Sequence, residues 1–230
     1  MAPIIEQQTA GRFTLGDAQG SIWHGSAFIG AAPSGLDPVT PLLPGRFTWR
    51  LSPTVLIGVV EATLENPEVL AQPVQVTGSW SQWQISASVL LLPAARLMAL
   101  GAPLNTIMPS GEMRLSWSVL QLSRQGQQVD LTGSMQLDLT NIGSRLSPIK
   151  PLGAYRLQAE WQGQTAQLAL TSLEGPMLLT GTGAIERGRL RFSGRAQAAA
   201  GQEERLANLL NLLGQRRRDG ASDYIALEFK

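Results

Sequence analysis

The sequence contains no cysteine, one histidine and only two lysines, Lys150 and Lys230, in 230 residues. Without cysteine there is no disulfide framework, no thiolate nucleophile and no cysteine-bound zinc, and the absence is compatible with cytoplasm or periplasm. A single histidine, His24, leaves carboxylates as the remaining metal ligands, and these are scattered singly apart from Glu203-Glu204. No loop of alternating acids suited to calcium occurs, so neither a metal site nor a cofactor is expected. Charged residues make up 15% of the chain and nearly cancel, with a formal net charge of +1. No global field therefore draws in nucleic acid or an anionic membrane. A run of about 18 apolar residues is also missing, so no membrane-spanning helix is expected. The start, Met1-Ala2-Pro3-Ile4-Ile5, lacks the basic and apolar regions of a secretory signal, and fits a chain whose natural N-terminal segment has been removed.

The residues that could carry chemistry do not form a constellation. His24 has the right titration range for a general base and Ser21 and Ser26 are close in sequence, yet no G-x-S-x-G elbow exists and neighbours along a strand face opposite ways. Thr180-Gly181-Thr182-Gly183 has the wrong spacing for a phosphate loop, so its glycines read as a bulge or close strand crossing. The tryptophans at 23, 49, 80, 83, 117 and 161 suit sheet packing better than a stacking platform, with Trp80 and Trp83 least explained by alternation. Arg216-Arg217-Arg218 follows a helical stretch and is read as complementing its dipole, with acidic lipid or a partner as the other candidates. No catalytic residue is assigned, which favours a binding, scaffolding or transport component over an enzyme.

What is abundant is period-two alternation. Met113, Leu115, Trp117 and Val119 share a face, as do Val129, Leu131, Met135, Leu137 and Leu139; Tyr155 to Trp161 and Ala166 to Leu170 continue the pattern. Gln125-Gly126-Gln127 and Gln162-Gly163-Gln164 read as hairpin turns. Helical period is confined to a short proline-led turn at 93–100 and to Glu203–Leu213. There Leu206, Leu209, Leu210 and Leu213 form a stripe, with acids in the first turn and Gly214 at the end. The expected fold is mainly β, with twisted antiparallel sheets in two similar halves and a short C-terminal amphipathic helix. It is expected to form a single domain or two lobes, about 10–100 and 110–230, with a soft boundary from Gly101 to Gly111. The proline-rich run from Pro33 to Pro44 forbids a central strand.

Several segments, taken in order, resemble the type II secretion system protein N family. Gly20, Trp23 and Gly25 in Leu15–Ala27 are similar to a segment near the start of that family's periplasmic region. Trp49 and Pro53 are similar to its tryptophan-to-proline strand, and Leu91–Leu97 to its proline-led turn. Gly111 begins a strand like the family's, and Leu210 with Gly214 matches its terminal helix. His24 stands where a small polar residue is more usual, and the family's membrane anchor has no counterpart here. The resemblance implies the periplasmic part of a single-pass inner-membrane protein of Gram-negative bacteria, without catalytic residues, that supports export of folded proteins across the outer membrane. It implies contact with the inner-membrane platform, component M in particular, with the secretin as a further candidate. The strand style also resembles the β-groove proteins of the AsmA and TamB kind, so a periplasmic lipid-binding or lipid-transferring groove is the alternative. Within the opening segment the glycines read as sites of close backbone approach, Trp23 as a buried packing anchor and His24 as replaceable.

Overall fold

The computed structural model describes residues 13–31, 40–100, 104–126, 128–219 and 222–229. The chain is mainly β, as expected, with about 65% of residues in an open antiparallel sheet and one substantial helix near the C-terminus. The first strands are β1 (Phe13–Gly20), β2 (His24–Ala31), the two-residue β3 (Thr40–Pro41), β4 (Phe47–Leu51), β5 (Val59–Glu65), β6 (Val74–Ser79) and β7 (Gln82–Ile85). They are followed by β8 (Ser88–Pro93), β9 (Pro109–Trp117), β10 (Leu120–Gln125) and the 17-residue β11 (Gln128–Ser144). The C-terminal strands are β12 (Gly153–Gly163), β13 (Thr165–Glu174), β14 (Met177–Glu186), β15 (Arg189–Ala198), β16 (Gln215–Asp219) and β17 (Ser222–Phe229), with helix α1 (Glu203–Leu213) between β15 and β16.

β11 is the seam of the molecule. Its first residues pair with β10 and its later ones with β9, while β12 runs along its other side. The alternating stretch from Glu112 to Leu122 is thus two strands rather than one. They part at Ser118, which bonds Ser134 on β11 through both its backbone N–H and its hydroxyl oxygen, each at 3.0 Å. Opposite this corner lies Gly133 (φ 143), where a side chain would strike Leu120. From β10 the sheet continues through β7, β6, β5, β4 and β2 to β1. From β9 it folds over through β8, whose Leu90 bridges Leu70.

Two apolar clusters result. Phe47, Val69, Leu70 and Val74 are enclosed with Leu90, Leu92 and Trp117 where β8 and β9 fold over β4 to β7. Leu152, Tyr155, Met177, Ala196 and Ile225 are sealed by Leu206, Leu209 and Leu210 of α1. The helical stripe read in the sequence therefore faces the sheet, and Leu212, off the stripe, is exposed. Tyr155 Oη donates to the Met177 carbonyl at 2.9 Å, and burial pushes this phenol's pKa upward.

The proline-led turn is a 3-10 turn, Ala94–Leu100. Other segments differ from the sequence reading. Of the two readings of Thr180 to Gly183, the bulge is not found, since β14 keeps its register, whereas the close strand approach is: β15 backbone and the Phe192 ring lie where side chains at Gly181 and Gly183 would be. Arg216 to Arg218 belong to β16 rather than to the helix end. Residues 33–39 of the proline-rich run and residues 101–103 of the expected boundary lie outside the described residues.

Candidate functional site

The opening segment forms a three-residue connection between β1 and β2, organised by Ser21. The Ser21 hydroxyl oxygen accepts the backbone N–H of Trp23 and of His24, each at 3.2 Å, and the Ser21 N–H donates to the His24 carbonyl at 2.7 Å. Ser21 is thus occupied by the turn and forms no Ser-His couple. Gly20 stands opposite Gly25 with φ 89, and a side chain there would run into the His24 carbonyl.

Trp49 of β4 stands directly opposite Gly25 and lays its indole where a Gly25 side chain would be. Its Nε1 donates to the carbonyls of Ser21 and Ile22, each at 3.2 Å. Both tryptophans are half-buried, but the one packed onto the glycine is Trp49; Trp23 touches the next strand through its carbonyl, the acceptor for Leu51 N–H at 2.8 Å. Sequence alternation marked both tryptophans as apolar but carried no signal for which one crosses onto the glycine. His24 is exposed and faces Arg50, with Glu61 and Thr63 lining the same shallow hollow.

Of the remaining candidates, Pro53 is exposed and opens a 3-10 turn, Pro53–Ile57, capped by the Ser52 hydroxyl at one end and Gly58 (φ 92) at the other. Gly111 (φ 115) lies on β9 against the carbonyls of Thr140 and Asn141, each 2.6 Å from where a Cβ would sit. Leu210 is buried under α1, and Gly214 passes so close to the Ala226 carbonyl that a side chain would collide. Gly20, Trp23, Gly25, Trp49 and Pro53 gather at one sheet end; Gly111, Leu210 and Gly214 lie elsewhere and serve packing.

The registers divide the sheet into an apolar and a polar face, because residues directly opposite one another share a face. One polar row runs Thr77, Gln84, Gln121, Thr132, Gln162, Thr165 and Glu186 across seven strands. Hollows of about 310 to 490 Å³ open on this face. In the middle of it, Asp138 accepts Arg156 Nε at 2.6 Å and Gln136 Nε2 at 2.9 Å. Burial alone would raise the Asp138 pKa, but the hydrogen bond from Arg156, then that from Gln136, hold it below the usual carboxylate value. Among the described residues no three histidine, aspartate or glutamate side chains converge on a metal position, and no helix is long and apolar enough to cross a membrane.

At the sheet's ends, β1 pairs only with β2, and β16 only with β17, among the described residues. β1 is interrupted between Gly16 and Gln19, where Asp17 (φ 47) binds Arg46 Nη1 at 2.7 Å. The Arg46 hydrogen bond, with a smaller contribution from Gln19, lowers the Asp17 pKa. The other end, β16, keeps an unbroken register from Gln215 to Asp219.

The model of type II secretion system protein N matches residues 11–223, from before β1 into β17. The chain belongs to the type II secretion system protein N family. Membership implies an accessory role in type II secretion, interaction with other secretion components and a place in the bacterial envelope. Protein N is a secretion accessory and not a known enzyme family. Neither a curated protein nor a solved structure matches the chain. The protein N match encloses both the Gly25–Trp49 contact and α1, and so takes in the N-terminal apolar cluster and all of the C-terminal one except Ile225 and Leu227.

Proposed function

We propose that this chain is the periplasmic part of a single-pass inner-membrane protein that docks on other type II secretion components. The first partner is component M of the platform, and the second is the secretin. The role is non-enzymatic and supports export of folded proteins across the outer membrane. The observation that carries this reading is the open sheet ending in β16, whose outer backbone groups can take up a partner's extended strand. The broken register of β1 makes the opposite edge a poorer template. The sequence of β16, Gln215-Arg216-Arg217-Arg218-Asp219, is net basic even with Arg217 paired to Glu228 at 3.1 Å, which disfavours pairing with a second copy of the same edge and favours an acidic extended segment.

The test is co-elution of the full chain with periplasmic fragments of component M and of the secretin. Retention of either fragment is expected, and Arg216→Glu should weaken it by at least about tenfold, because the reversal removes a favourable charge contact with an acidic segment and adds a repulsive one. If neither fragment is retained and the chain instead carries phospholipid out of cells, the docking reading fails and a lipid-handling groove replaces it.

A further inference from the structure

Five large apolar side chains stand in solvent at one end of the sheet. They are Ile22 in the β1–β2 connection, Leu56 and Ile57 in the 3-10 turn, Val59 at the start of β5 and Trp80 between β6 and β7. Their exposures are 53, 68, 80, 43 and 60%. The pairing of Val59 with Ser79, and the bond from Leu51 N–H to the Trp23 carbonyl, set these three connections side by side. No charged residue occurs from Leu51 to Val60 or from Gly78 to Trp83.

Several polar groups of the tip are paired within it. Thr54 N–H donates to the Ser52 hydroxyl at 3.3 Å, and Val55 N–H to the Ser52 carbonyl at 3.2 Å. Gly58 N–H and Trp80 Nε1 both donate to the Val55 carbonyl, at 3.2 and 2.6 Å. A protein groove makes no general demand for such internal pairing. Hydrocarbon does, because it offers unpaired N–H and C=O groups nothing in place of water. A tryptophan behind aliphatic side chains also suits the boundary between acyl chains and headgroups. The flanking charges are Arg50, Glu61 and Arg124, all exposed, a net positive set that matches lipid phosphates.

We propose that this tip enters the surface of a phospholipid bilayer, with Ile22, Leu56, Ile57 and Val59 in the acyl region and Trp80 at the interface. The contact is separate from any anchoring helix and from the β16 edge. The test is flotation of the full chain with vesicles of phosphatidylethanolamine and phosphatidylglycerol. Binding that persists in about 0.5 M salt is expected, since apolar insertion is screened little. The double variant Leu56→Ser/Ile57→Ser should bind about a hundredfold more weakly, roughly tenfold for each side chain withdrawn from hydrocarbon, while its thermal midpoint stays that of the parent. The proposal is overturned if the parent chain fails to float, if the double variant floats equally well or if salt abolishes binding. It is also overturned if sedimentation shows the tip joining two copies that the double variant separates.

Discussion

Trp49 ties β4 to the β1–β2 hairpin because one indole does two jobs: its ring covers Gly25 and its N–H is shared between the Ser21 and Ile22 carbonyls. Trp49→Ala removes both and should lower stability by about 2 to 3 kcal/mol, below the 3 to 5 of a fully buried aromatic because Trp49 is half-buried. Gly25→Ala drives a methyl group into the same ring and toward the Gln19 carbonyl, 2.8 Å from the Cβ position, and should lose about 1 to 3 kcal/mol. His24→Ala, at an exposed position, should stay within about 0.5 kcal/mol. Urea denaturation of the three variants measures this order, and a costly His24 substitution beside a neutral Trp49 one would refute it. The glycines and tryptophans of this region were legible as residue types needed for close packing. Their pairing was not, because alternation reveals a residue's face but not the register that sets Gly25 opposite Trp49.

Elements were legible to the extent that a single chain segment carries their signal. Helix α1 announced itself through Leu206, Leu209 and Leu210, all of which it buries, and the turns at Gly126 and Gly163 through local chemistry. The break at Ser118 was not legible, since apolar alternation runs through it and only the competition between β9 and β10 for β11 creates it. Arg216 to Arg218 were misread for a related reason: an edge strand tolerates charge that a central strand would not, and edge position is a property of the whole sheet. Between elements, the β11–β12 ladder carries the pair of Asp138, with a side chain 16% exposed, and Arg156. The Asp138 pKa is lowered in the folded state, so the carboxylate stabilises the fold fully above its unfolded value of about 3.9 and loses that contribution as pH falls through the lower folded value. Asp138→Asn should therefore lower the thermal midpoint at neutral pH, and the gap to the parent chain should narrow below about pH 4. An equal gap at pH 3 and pH 7 would mean that the ladder does not depend on the charged form.

At the scale of the whole molecule, the two apolar clusters share no buried residue but are tied by one continuous strand. β11 contributes Leu139 and Ile142 to the margin of the C-terminal cluster, while its partners β9 and β10 bring Trp117 and Leu120 to the N-terminal side. If the clusters were independent lobes, a weak linker with few crossing hydrogen bonds would separate them. Instead the ladder passes from β10 and β9 into β11 and on into β12 with a register shift confined to the stretch after Leu139. Losing either cluster strips one side of β11 and exposes backbone groups that the other cluster needs paired. We therefore propose a single cooperative unit in place of two separable lobes. Phe47→Ala and Leu206→Ala, one in each cluster and each expected to lose about 2 to 5 kcal/mol, should then lower the same calorimetric transition. Two transitions, with each substitution moving only its own, would instead show that β11 can keep one half folded after the other has come apart.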